Sequence, residues 1–110
     1  MRERLPQDGG SVNQVRMEDV VKVVRALSAD TRLRVLKLLR GRDMSAAELQ
    51  QTLRVPRQTV SYHLGILQTG GLVRSRREGR RLVYAAAMPA AADAEGRFER
   101  FLSRTLDDVN

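Results

Sequence analysis

Cysteine is missing from all 110 residues. Disulfides, thiolate metal centres and thiol redox sensing are therefore closed to this chain. Histidine occurs once, at His63. Ser61 lies two positions away on a different helical face, with no acid placed to orient the imidazole, so nucleophilic catalysis has little support. Long apolar runs are missing too. No segment approaches the roughly twenty residues of a membrane-spanning helix, and no apolar run follows the N-terminal charges as in a secretory signal. The expectation is a soluble cytoplasmic protein with no membrane partner, made of one small domain.

Acidic residues are scarce in one place. The whole chain carries 20 Lys and Arg against 13 Asp and Glu, a net +7. Between Arg54 and Arg81 there are seven arginines and a single acid, Glu78. About a quarter of the chain thus holds nearly all the net charge, which is the footprint of a nucleic-acid partner. A charge run by itself is more often a solvated face. The order of elements around it decides between these readings.

Residues 1–16 mix charges, a proline and Gly9-Gly10 without a sustained period, and read as a flexible tail. The remainder, 17–110, reads as one domain. Apolar residues at 17, 20, 21, 24 and 27 make a helical stripe, so a first helix is expected over about 17–27. Ser28 and Asp30 offer capping oxygens before "TRLRVLKLLR", a second helix at about 30–40 that Gly41 stops. Ser45 and Glu48 have capping-box spacing and open a short third helix ending near Leu53. Pro56 suits the start of a fourth helix at 57–69, with Val60, Leu64 and Leu67 inward and Gly70-Gly71 as terminator. Beyond it "LVRSRR" and "RRLVYAA" flank Glu78-Gly79, a tight hairpin turn. In a last helix Ala94, Phe98, Phe101, Leu102 and Thr105 share one face. The fold class expected is mainly α with a small β-hairpin: a winged helix-turn-helix of five helices plus a two-stranded wing, as a dimer.

This order gives the arginines a purpose. An α-helix fits the major groove and offers its N-terminal side chains to base edges. On the fourth helix Arg57, Gln58, Thr59, Ser61 and Tyr62 are not needed by the apolar stripe, and His63 stands beside them. Arg74, Arg76, Arg77, Arg80 and Arg81 belong to the hairpin, placed to meet the phosphate backbone or minor groove. All eleven are candidate DNA-binding residues. Val20, Val24 and Leu27, with Phe98, Phe101 and Leu102, are candidates for a dimer interface, because a domain this small has few other aromatic residues.

"ALSADTRLRVLKLL", "MSAAELQQTL" and "QTVSYHLGILQTGGLVRSRREGRRLVY" resemble the ArsR/SmtB family of dimeric winged-helix repressors over about residues 20–87. The resemblance implies a homodimer built from the first and last helices, a recognition helix at 57–69, a wing at 72–86 and control of an operator. The family's best-known metal site places two cysteines in the third helix, where this chain has Ser45 and Ala47. A second family site uses His and acidic residues on the last helix, which here has Asp93, Glu95, Glu99 and Asp107 but no histidine. Ala29-Asp30 replaces the usual Asp-Pro, and Pro56 stands where a capping serine is common.

The function expected is therefore sequence-specific operator binding by a homodimeric transcriptional regulator, a repressor rather than an enzyme. One alternative is a nickel- or zinc-responsive regulator, with a weak cysteine-free site drawing on His63 or with an accessory protein as sensor. Another is a winged helix used as a protein-interaction module.

Overall fold

The computed structural model describes residues 16–89, 92 and 95–109. The tail expected over 1–16 lies outside the described residues apart from Arg16, as do Asp93 and Ala94. Five helices and three short strands follow in the order α1 (Met17–Ala26), α2 (Asp30–Gly41), β1 (Met44–Ser45), α3 (Ala46–Leu53), α4 (Arg57–Thr69), β2 (Val73–Glu78), β3 (Arg81–Ala86) and α5 (Arg97–Asp107). Among the described residues no helix is long and apolar enough to cross a membrane.

Leucine and valine at helical spacing build the core. Val35, Leu36 and Leu39 of α2 meet Leu49 of α3, Val60, Leu64 and Leu67 of α4, and Leu102 and Leu106 of α5, all buried. Leu102 is fully enclosed in this core. Its expected place in a dimer interface is corrected accordingly, because its side chain is used up inside its own chain. Phe101, one position away on the helix, points out and is 57% exposed.

Helix ends mostly follow their caps. Ser45 accepts from the Glu48 amide at 3.2 Å while its own amide donates to the Glu48 carboxylate at 2.8 Å, a reciprocal capping box. At the end of α4 the Gly71 amide donates to the Gln68 carbonyl and the Leu72 amide to the Leu67 carbonyl, both at 3.0 Å. With Gly71 at φ +79 this is a Schellman stop, and the buried Leu72 closes its apolar side. Three expectations change. α2 has no side-chain cap, because Ser28 turns its hydroxyl back to the Arg25 carbonyl at 2.8 Å and Asp30 pairs instead with Arg34 at 3.3 Å. α5 begins at Arg97, behind Gly96 at φ +78, rather than near 94. The hairpin is not alone, since β1 adds a third strand.

The sheet runs β1-β3-β2, antiparallel throughout. Glu78 pairs with Arg81 across a two-residue turn whose first residue, Gly79, has φ +64, as a type II′ hairpin needs. β1 pairs Ser45 with Val83 and Met44 with Tyr84. The residue that caps α3 is thereby stitched to the wing, so helix-turn-helix and wing share one frame.

Candidate nucleic-acid interface

The turn between α3 and α4 is only Arg54-Val55-Pro56. Arg54 takes a left-handed conformation at φ +59 and donates its amide to the Gln50 carbonyl at 2.8 Å. For a residue with a Cβ this costs on the order of 1 kcal/mol. Pro56 forces its predecessor out of helical geometry, and α4 restarts at once with Pro56 as its extended N-cap. Arg57, Gln58, Ser61 and Tyr62 then lie on the exposed side of α4, Thr59 is half-buried, and Val60, Leu64 and Leu67 are buried. Tyr62 is 63% exposed.

His63 faces the other way. Its Nδ1 lies 3.1 Å from a guanidinium nitrogen of Arg32. Arginine can only donate, so Nδ1 accepts and the neutral ring carries its proton on Nε2. Arg32 is itself buried and also donates to the Ala26 and Arg25 carbonyls, each at 3.0 Å. One side chain of α2 thus fastens the end of α1 to the middle of α4. Sequence reasoning missed Arg32. The available signal was its position on the α2 stripe with Val35, Leu36 and Leu39, as the one charged group on a buried face. His63, expected among the DNA-facing residues and as a weak metal ligand, is committed inward instead. Among the described residues no three His, Cys, Asp or Glu groups come together as a metal site.

The wing arginines divide into two sets. Arg76 is held by Asp43 at 2.7 Å and Glu78 at 2.6 Å, and these hydrogen bonds raise its pKa above the ordinary value. Arg81 pairs with Glu48 at 3.1 Å. The Glu48 carboxyl sits below its usual range, chiefly because the Ser45 amide donates to it and further because Arg81 and Arg42 stand nearby. Arg74, Arg77 and Arg80 make no ion pair with any described acid. Of the five wing arginines expected at the duplex, Arg81 and Arg76 also brace the hairpin, against α3 and against the loop before β1 respectively. Gln68 of α4 donates to Ser75 of β2 at 3.2 Å, adding a second tie between helix and wing.

Helix and wing meet along a cleft of about 520 Å³ lined by Ser45, Ala46, Ala47, Arg57, Ser61, Arg80, Arg81, Leu82 and Tyr84. Two groups that belong to different elements, Arg57 and Arg80, therefore share one positive surface. Val20, Val24, Leu27, Phe98 and Phe101 line an apolar cleft of about 410 Å³ between α1 and α5. Glu99 of α5, one of the acids a metal would need, is bonded to Arg40 and to Ser103, and the Arg40 hydrogen bond chiefly lowers its pKa.

Burial, and then the Arg32 charge, lower the His63 pKa below its ordinary 6.5. The folded state holds the ring neutral, whereas the unfolded chain takes up a proton as the solution acidifies. The stability His63 contributes is thus complete above about pH 6.5 and is lost as pH falls through the lowered value. Urea denaturation at pH 7.5 and pH 5 should show a larger acid-induced loss in wild type than in His63→Gln. Equal losses would contradict the inward, neutral assignment.

Residues 27–76 match the family model of a helix-turn-helix domain. An HTH-type transcriptional regulator of Mycobacterium tuberculosis, Rv0081, is 33% identical over 85 residues, covering 76% of this chain and 75% of that protein. An ArsR-like transcriptional regulator from Rhodococcus sp. RHA1 superposes with a TM-score of 0.62 at 36% identity, covering 82% of this chain and 77% of that one. The homodimeric winged helix-turn-helix DNA-binding domain of Mb0332 from Mycobacterium bovis, a possible ArsR-family regulator, gives 0.67 at 28% identity, covering 84% and 82%. With this helix order, this wing and these relatives, the chain belongs to the ArsR/SmtB family of winged helix-turn-helix transcriptional regulators.

Proposed function

We propose that the chain acts in the cytoplasm as a homodimeric repressor, with residues 17–110 as the DNA-binding and dimerisation domain. Arg57, Gln58, Thr59, Ser61 and Tyr62 of α4 read base edges in the major groove, while Arg74, Arg77 and Arg80 grip phosphates. Arg76 and Arg81 first serve the wing's own geometry, and duplex phosphates compete for them with Asp43, Glu78 and Glu48. The single observation that carries this reading is the cleft in which Arg57 and Ser61 of the helix stand opposite Arg80 of the wing. Among the described residues no carboxylate lines it, so the charged groups an approaching polyanion meets there are cations. A regulator that occupies its operator in this way blocks access of other proteins to the same groove.

The dimer reading rests on the apolar face of α1. Met17, Val20, Val21 and Val24 are exposed, as is Phe101 of α5. Methionine, valine and phenylalanine side chains left in water along one face mark an interaction surface. A second copy, related by a two-fold axis, would set two recognition helices one turn of DNA apart, about 34 Å. The alternative of a nickel- or zinc-responsive regulator has less behind it. To bind a metal His63 would have to give up its bond from Arg32, and the carboxylates near it are few. A signal delivered by an accessory protein requires no such site.

Sites selected from a random duplex library should show division of labour. Gln58→Ala should change the preferred sequence. Arg80→Ala should weaken selected and random duplex alike and flatten the plot of log affinity against log salt by about one unit per lost phosphate contact. A protein that binds acidic polypeptides but ignores duplex would point to the protein-interaction reading instead.

Sedimentation at micromolar concentration should give a dimer for wild type and a monomer for Val24→Glu combined with Phe101→Glu. The two side chains are 60% and 57% exposed, so the fold itself should survive both changes. A wild-type monomer would sink the interface.

A further inference from the structure

α1 has three sides. One enters the core through Val23 and Ala26, one presents the exposed valines, and the third carries Lys22 and Arg25. That third side faces α4 across a groove of about 530 Å³ lined by Lys22, Arg25, Ser61, Tyr62, Gly65, Ile66 and Thr69. Ser61 lines this groove and also the cleft between α4 and the wing. The exposed strip of α4 is therefore flanked on both sides by cations, Arg57 and Arg80 on one and Lys22 and Arg25 on the other.

We propose that Lys22 and Arg25 are a second phosphate-binding wall, which grips the backbone on the side of the major groove opposite the wing. The inference rests on the duplex-binding reading above and extends it to a helix that otherwise serves packing. A helix lying in a groove about 12 Å wide has a phosphate backbone on each side. The wing reaches only one of them.

Three features make the wall fit. Neither Lys22 nor Arg25 is ion-paired with a described acid, and among the described residues no carboxylate lines the groove. The wall cannot drift relative to α4. Arg32 bonds the Arg25 and Ala26 carbonyls and His63 together, and a Cβ on Gly70 would stand 3.0 Å from Ala26 Cβ and 3.1 Å from the Lys22 carbonyl, so the two helices are already at closest approach. The groove floor is also clear. Gly65 sits in mid-helix, where glycine costs about 1 kcal/mol relative to alanine. A Cβ added there would meet nothing within 4 Å, so packing inside the chain does not require a glycine, whereas a closely approaching backbone would.

The test uses the full chain and a labelled duplex carrying its selected site, with anisotropy measured across a salt series for Lys22→Gln/Arg25→Gln and, in parallel, Arg80→Gln. Both variants should melt like wild type. The α1 variant should bind more weakly, with a salt slope flattened by about one unit per lost contact. Methylphosphonates placed one at a time should then locate the contacts. Those on the backbone across the groove from the wing should weaken wild type but not the α1 variant. If Arg80→Gln loses affinity while the α1 variant matches wild type in affinity, slope and methylphosphonate pattern, the second wall is refuted and the duplex reading stands. If wild type itself shows no salt-dependent binding to duplex, the duplex reading falls and this inference falls with it.

Discussion

A buried guanidinium holds the reading surface in place. Arg32 emerges from α2 among leucines and donates to two carbonyls at the end of α1 and to His63 in the middle of α4. Leaving such a charge buried without acceptors would be strongly destabilising, so the three elements are obliged to meet around it. The carbonyls it satisfies are the ones a helix end leaves without intrahelical donors. Packing of leucine on leucine brings α2 and α4 together but tolerates sliding. Directional bonds from one planar group select a single offset, and that offset decides which side chains of α4 face outward.

The second constraint is electrostatic. A two-stranded wing bearing five arginines would repel itself in isolation. Asp43, Glu78 and Glu48 neutralise two of them at defined places, and the pairing of β1 with β3 carries the last of these acids, through Ser45, to the hairpin edge. These pairs are exposed, so each contributes little to stability. Their use is geometric, because they fix the direction of the hairpin and leave Arg74, Arg77 and Arg80 standing on it without an ion pair to any described acid. Concentrated positive charge on a rigid frame is also what makes duplex association fast and salt-sensitive.

How much of this was legible depended on whether the deciding interaction is local. Helix positions followed from residues a few places apart: the Ser45–Glu48 box, the Gly70-Gly71 stop and the apolar spacing of α4 all act over one or two turns. The Gly79 turn is equally local. What escaped depends on distant partners. β1 is two residues long and exists only because β3 offers it an edge. Arg76 looks like its neighbours in sequence, and its pairing with Asp43, 33 positions earlier, is invisible there. Leu102 and Phe101 are adjacent on one amphipathic face, and which of them enters the core is decided by how α5 leans on α2. His63 carries a family-like position, but its partner lies 31 residues away. Residue type and spacing do reveal that a helix-turn-helix with a basic wing is present. They do not say which of its cations are already spoken for.

The central claim is that the Arg32 junction sets the pose in which α4 reads sequence, while the wing supplies affinity that is indifferent to sequence. Arg32→Lys tests it most directly, because the charge is kept but a single ammonium cannot reach three separated acceptors as a guanidinium does. The quantity to measure is the ratio of affinities for the selected site and for random duplex, on protein that retains its helical circular dichroism. The ratio should fall by about tenfold or more, equivalent to about 1.4 kcal/mol of lost discrimination, while random-duplex affinity stays within about twofold of wild type. An unchanged ratio would contradict the claim.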